Sequence, residues 1–177
     1  LEAKPDYADA RTNRAIAYLI SGDYQRGWPE YEWRWRTKAF PSRNFSQPLW
    51  GGGDLSGQTI LVHAEQGIGD SLNFVPYLPR LGGRGGRVLF ECPKALHPLL
   101  QGRCGIDELV PGGMSLPAFD VHAPLLSLPH LLNLPEPKDG PAPPYLFADP
   151  GLIAHWKTEL GKLDGFKIGI NWQGNPK

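Results

Sequence analysis

Residues 59–72, Thr-Ile-Leu-Val-His-Ala-Glu-Gln-Gly-Ile-Gly-Asp-Ser-Leu, constrain the fold more than any other stretch. A β-like apolar run (Thr59–Val62) meets a polar turn with two glycines, and apolar residues then resume on a helical period. Such a strand–turn–helix unit aims backbone N–H groups and the positive end of a helix at the region beyond the strand. In open α/β sheets, ligands are held there. The same alternation continues. The spacing predicts a helix over 70–81, kinked or shortened at Pro76 and Pro79 and ended by Gly82-Gly83-Arg84-Gly85-Gly86. A strand over 87–91, a short helix over 94–100, strands over 106–110 and 119–123 and a helical turn over 127–132 follow. A Pro-rich loop over 133–144 leads to a helix over 149–160, with Asp149 as its cap and Pro150 in its first turn, and a last strand over 167–171. This order implies right-handed crossovers and an α/β fold: a Rossmann-like, mostly parallel sheet with flanking helices.

Residues 6–38 read as two helices. Ala10, Ala15, Tyr18 and Leu19 keep a helical spacing, Gly22 suits a left-handed position after a helix, and Asp23 suits an N-cap. Tyr24, Trp28, Tyr31 and Trp35 form one aromatic stripe, with Pro29 expected early in the second helix, where a missing N–H costs least. The segment resembles a tetratricopeptide repeat, a helix–turn–helix of about 34 residues. With Gly22 as the turn glycine, Ala15 and Gly27 fall on small positions and Tyr18 and Tyr31 on aromatic ones. One repeat cannot bury its face alone, so the resemblance implies further repeats upstream, and the stripe is read as packing. Residues 39–57 carry turn residues without a period and read as a linker that Trp50 packs onto the next domain.

Bulk properties exclude several classes. Eighteen basic and 18 acidic residues argue against a broad electrostatic grip on nucleic acid or an anionic membrane. No apolar run is long enough to span a bilayer, and no signal peptide opens the sequence. Cys92 and Cys104 fit neither a metal-ligand pattern nor a disulfide framework, so they read as reduced packing residues of a cytoplasmic protein. The sequence begins without methionine and a strand pattern runs into its last residues, so it is expected to be a fragment of a longer protein.

Three segments carry a more specific resemblance. Residues 60–72, then Gly85-Gly86-Arg87-Val88-Leu89-Phe90-Glu91-Cys92-Pro93, then residues 119–129 look like bacterial tetratricopeptide-repeat proteins fused to a glycosyltransferase-like domain. Residues 24–36 look like the last repeat of such proteins, and Ile170-Asn171-Trp172-Gln173-Gly174-Asn175-Pro176 like the entry to a second half. The glycosyltransferase part is similar to the two-Rossmann GT-B architecture and distantly to the heptosyltransferases. The resemblance implies a last repeat over 1–38, a linker over 39–57 and the amino-terminal, acceptor-side half over 58–177. It also implies a carboxyl-terminal half, not contained here, that binds a nucleotide-sugar donor. The acceptor would be a glycan or a protein, and the repeats would bind a protein partner.

By that resemblance Asp70 matches the carboxylate that takes the acceptor hydroxyl proton. Equally, Asp70 is a helix-start residue favoured by the dipole. Gly67 and Gly69 fit either close backbone approach to a ligand or a turn that needs positive φ, and Ser71 either a cap or a ligand donor. His63 and Glu65 lie two residues apart, which points them the same way along an extended chain. With Gln66 they form either an acceptor-binding group or a satisfied structural pair at the strand end. His122, near the end of another strand, faces the same edge; Asn73 is a weaker candidate, and Asn175 follows the last strand. Neither G-x-G-x-x-G nor G-x-x-x-x-G-K-[ST] is present, so no dinucleotide or ATP cofactor is expected. Without an Asp-x-Asp pair or a His/Cys/carboxylate cluster, no metal is expected either. Two functional readings remain: an inverting, metal-independent glycosyltransferase, and a non-catalytic repeat scaffold with a degenerate Rossmann-like binding module.

Overall fold

A computed structural model describes residues 4–134 and 145–170. The chain divides into two compact units, Leu1–Leu146 and Phe147–Lys177.

The first unit opens with a helical hairpin, α1 (Ala8–Ile20) and α2 (Tyr24–Tyr31), continued by a 3₁₀ stretch, Glu32–Arg36. Gly22 takes φ +82° at the turn, and the Asp23 carboxylate accepts the Arg26 N–H at 3.2 Å. Gly27 lets the two helices approach closely: a Cβ there would lie 2.5 Å from Leu19 Cδ2. Pro29 is not near the start of α2 but the sixth of its eight residues. It removes an interior N–H, and the chain tightens to 3₁₀ geometry from Glu32. The aromatic stripe therefore breaks. Tyr24 and Trp28 stack 6.3 Å apart and Trp28 meets Phe74 edge-on, whereas Trp35 turns to Phe40.

Four parallel strands follow: β1 (Thr59–His63), β2 (Arg87–Cys92), β3 (Glu108–Pro111) and β4 (Val121–Pro124), in the order β3-β2-β1-β4. This is the α/β, Rossmann-like arrangement expected. Between β1 and β2 lie α3 (Ile68–Phe74), a 3₁₀ turn at Val75–Tyr77 and α4 (Pro79–Gly82). Pro76 and Pro79 divide what the apolar period alone would make one helix. A 3₁₀ turn at Lys94–Leu96 and α5 (His97–Leu100) join β2 to β3, and a 3₁₀ turn at Leu125–Ser127 and α6 (Leu128–Leu131) follow β4. Strand order reverses direction between β1 and β4, and this is where α/β sheets open a crevice for ligands.

The register sorts the two faces of the sheet. Ile60 pairs with Val88 and Val121, and Val62 with Phe90 and Ala123. These residues enter the apolar core with Val75, Leu78, Leu81, Leu96, Leu125 and Leu128. On the opposite face, one residue along, Leu61 pairs with Leu89 and His122, and His63 with Glu91. Two aspartates satisfy the amino ends of the strands: Asp120 accepts the Thr59 N–H at 2.7 Å and Asp107 the Val88 N–H at 2.6 Å.

Residues 39–57 are more than a connector. Leu49 bridges His122 in parallel, and the Trp50 N–H donates to the His122 carbonyl at 2.8 Å, so the strap closes the edge of β4. Trp50 is buried in the core, as expected. Gly52 anchors the strap at φ +85°, where a Cβ would sit 2.3 Å from the Leu131 carbonyl oxygen. Gly52→Ala is therefore expected to destabilise the protein by about 2–3 kcal/mol through strain and overpacking, read from urea unfolding midpoints. Gly53→Ala, with nothing within 4 Å of its added Cβ, is the neutral control.

In the second unit, α7 (Pro150–Gly161) starts as the sequence predicts, with the Asp149 carboxylate accepting the Leu152 N–H at 2.9 Å. The strand expected over 167–171 is not formed at residues 167–170. Alternating Ile168 and Ile170 satisfy the pattern, yet no ladder partner among the described residues pairs with them, and they are 75% and 74% exposed. Alternation alone does not make a strand without a neighbour to accept its hydrogen bonds.

Candidate functional site at the carboxyl edge of the sheet

The turn after β1 is built by its own side chains. Gly67 occupies the N-cap of α3 at φ −70°. The Asp70 carboxylate accepts the Gly67 N–H at 2.9 Å, and the Ser71 hydroxyl donates to the Gly67 carbonyl at 3.2 Å. Neither Gly67 nor Gly69 adopts positive φ, which corrects the left-handed reading of this turn. Space rather than handedness matters at Gly67, where a Cβ would lie 3.1 Å from Asp70 Oδ2.

Arg34 fills the position beside this turn. It is 0% exposed. Its Nε and Nη2 donate to both oxygens of Glu65 at 3.0 Å. Nη1 donates to Glu32 at 2.8 Å and to the Tyr31 carbonyl at 3.1 Å, while Nη2 also reaches the Ser127 hydroxyl at 2.7 Å. Glu65 accepts the Leu126 N–H at 2.9 Å, and the Ser127 hydroxyl donates to Glu32 at 3.0 Å. Burial works against the Arg34 charge; Glu65 and Glu32 outweigh it and raise the guanidinium pKa above its ordinary value. One guanidinium thus ties the hairpin to the ends of β1 and β4. Glu65 is a partner of Arg34, not of His63.

Next to this network lies a cavity of about 260 Å³ walled by Trp35, Phe40, Arg43, His63, Ala64 and Glu65. His63 is 2% exposed, and neither Nδ1 nor Nε2 has a partner among the described residues. Its ring packs against Phe45 at 5.7 Å and His122 at 5.6 Å. Burial, then the positive Arg43, lowers its pKa to about 3. Glu91, in register with His63, is ion-paired to Arg43, whose guanidinium lies 4.7 Å over Phe45. His122, also held neutral by burial and Arg43, leaves Nδ1 without a partner. Sequence reasoning overlooked Arg34, Arg43, Phe45, Glu91 and Ser127. Only Glu91 carried a signal, as a carboxylate inside the apolar run Val88–Cys92.

The remaining candidates sit elsewhere. Gln66 and Asp70 line a separate, apolar groove of about 300 Å³ between the hairpin and α3, with Leu19, Trp28, Phe74 and Leu126. Gln66 donates to the Tyr31 hydroxyl at 2.8 Å. The structure therefore brings His63 and Glu65 to one cavity, with His122 against the His63 ring but not lining that cavity, and places Asp70 with Gln66 at another; Asn175 lies outside the described residues. Among the described residues no group of three or more His, Cys, Asp or Glu is placed to hold a metal ion, and no helix is long and apolar enough to cross a membrane. Burial raises the Cys92 thiol to about 11 and keeps it protonated.

The unpartnered imidazole has a measurable consequence. Below its ordinary pKa of 6.5, His63 takes up a proton in the unfolded chain but not in the native one until about pH 3. Its contribution to stability is thus complete above pH 6.5 and falls as pH drops toward 3, by at most about 1.4 kcal/mol per pH unit. Glu65, raised by burial, contributes with the opposite sign at lower pH, so the measurement is a difference. His63→Phe is expected to flatten the wild-type stability profile between pH 6.5 and 5, read from urea melts.

No family model matches the chain, and no solved structure does. The chain is 29% identical over 194 aligned positions to Protein FlbA of Caulobacter vibrioides. The match takes in 95% of this chain and 32% of that protein, so the chain spans about a third of the length of this curated relative.

Proposed function

We propose that this chain is the acceptor-side half of an inverting glycosyltransferase, preceded by a tetratricopeptide-like repeat that engages a protein partner or acceptor. The observation that carries the reading is the cavity at the end of β1, beside the switch in strand order, with an aromatic wall and buried His63. Position and lining both suit a hydroxylated ligand. The close approach of α1 and α2 at Gly27 supports the repeat assignment. Asp70, fixed by the Gly67 N–H, takes the proton of the acceptor hydroxyl as that oxygen bonds to the anomeric carbon of the donor. The nucleoside diphosphate departs with the electrons of the broken bond. The donor is held by a second Rossmann-like half.

The test is transfer from nucleotide-sugar donors by the complete gene product that carries this sequence. Transfer with inversion at the anomeric carbon is expected, with weak or no donor binding by the 177-residue chain alone. Tight donor binding by this chain would overturn the assignment of the halves. One observation favours a second, non-catalytic reading: an oxygen of Asp70 is committed to its own helix. Under that reading the complete gene product binds a protein partner and transfers no sugar from any donor.

A further inference from the structure

We infer that the cavity at the carboxyl end of β1 is a subsite for one uncharged, hydroxyl-bearing ring: a sugar unit of the acceptor other than the one that reacts. The inference rests on the sugar-transfer reading and gives it a substrate contact. Four independent features point to this ligand. His63 lines the cavity, is almost wholly buried and has two unpartnered nitrogens. Buried polar atoms are nearly always hydrogen-bonded, and leaving one unpaired costs free energy. A neutral imidazole has one N–H and one acceptor nitrogen, the complement of a hydroxyl, which also gives one and takes one; both nitrogens are nearly closed to solvent, so a ring hydroxyl reaches them by displacing the wall at His63.

Charge excludes the obvious alternative. Arg43 is the cation in the cavity's lining and is engaged by Glu91, while the neighbouring Arg34 is engaged by Glu32 and Glu65. Neither guanidinium is left free to neutralise a phosphate. Trp35 and Phe40, 6.3 Å apart and steeply inclined, supply an apolar wall for the C–H face of a sugar ring. Arg34 lies 4.5 Å from the Trp35 ring centroid and packs on that ring. Finally, about 260 Å³ lies near the lower end of small-ligand sites and suits a single ring. Asp70 lines the other groove, which shares no lining residue with this cavity. A ring bound here is therefore a neighbour of the reacting unit, and its binding energy serves to position that unit.

The experiment titrates the 177-residue chain with the methyl β-glycosides of glucose, galactose and N-acetylglucosamine and, separately, with inorganic phosphate. Tryptophan fluorescence and the imidazole resonances of His63 report binding. At least one glycoside is expected to bind saturably, with a Kd on the order of 1 mM, and phosphate is not. His63→Phe, which keeps the ring packing and removes both nitrogens, should weaken binding at least tenfold, on the order of 1.4 kcal/mol. Phe40→Ala on the rim should do the same and decides the matter if the His63 variant does not fold. Absence of saturable glycoside binding, binding unaltered in both variants, or phosphate bound in preference would overturn the subsite. Sugar transfer by the complete gene product with acceptor kcat/KM unchanged in both variants would overturn it too, yet leave the transferase reading intact. Saturable binding here without any transfer by the complete gene product would instead uphold the ring site and overturn the transferase reading.

Discussion

Arg34→Met is expected to destabilise the protein by about 3–5 kcal/mol, because it leaves the buried side chain of Glu65 and the partly buried Glu32 without their cation. Met matches the length of the arginine stem, so lost packing contributes little. What is lost is the guanidinium that satisfies both oxygens of Glu65, one of Glu32, the Tyr31 carbonyl and the Ser127 hydroxyl. Among the described residues Glu65 keeps only the Leu126 N–H. In urea melts the midpoint should fall without a change in slope, and the melting temperature should drop by roughly 6–20 °C. Arg34→Lys should recover little, since an ammonium cannot reproduce the two parallel bonds to Glu65. The control is Arg87→Met, which breaks a pair with Glu108 that is 54% and 39% exposed; exposed pairs of this kind contribute about 0–1 kcal/mol.

The same substitution separates two explanations of the cost. If the loss reflects an uncompensated charge, adding Glu65→Gln to Arg34→Met should restore much of it, and the single-variant penalty should shrink at acid pH as Glu65 protonates. If the loss reflects packing alone, neither change helps. Because the network joins the 3₁₀ stretch after α2 to the turn after β1, the amides of α1 and α2 should lose hydrogen-exchange protection before those of the sheet.

What the sequence revealed, and what it hid, follows the reach of each interaction. Gly22 at positive φ, Asp23 capping α2 and Asp149 capping α7 were legible because each acts within three residues. The parallel sheet was legible because period-two runs alternate with helical ones. Arg34 was not, since its partners Glu65 and Ser127 lie 31 and 93 residues away, and nothing local marks a guanidinium as buried. The strap was hidden for the same reason: Leu49 and His122 pair across about half the length of the first unit. Residues 167–170 show the converse, a legible local pattern without the distant partner that would make it a strand. At the candidate site, residue types at the strand end were visible, but their division between two cavities depends on how the hairpin packs.

Under the proposed transferase reading, Asp70→Asn in the complete gene product is expected to abolish most sugar transfer while leaving the fold nearly unchanged. Under that reading one carboxylate has two separable duties. As a cap, Asp70 needs only an oxygen that accepts the Gly67 N–H at 2.9 Å, and an amide oxygen supplies that; the lost charge near the start of α3 costs about 0.3–1 kcal/mol. As a general base it must take a proton, which an amide does not do at neutral pH. Loss of a positioned base typically lowers the rate by about 10²–10⁴, or roughly 3–5 kcal/mol of barrier. The loss should appear in kcat, with acceptor KM little changed, because the hydroxyl still binds. Asp70→Ala removes both duties and should add about 1 kcal/mol of instability to the same rate loss. Were Asp70 a cap alone, Asp70→Asn would transfer sugar at nearly the wild-type rate, and only Asp70→Ala would lose activity, in proportion to the protein it unfolds.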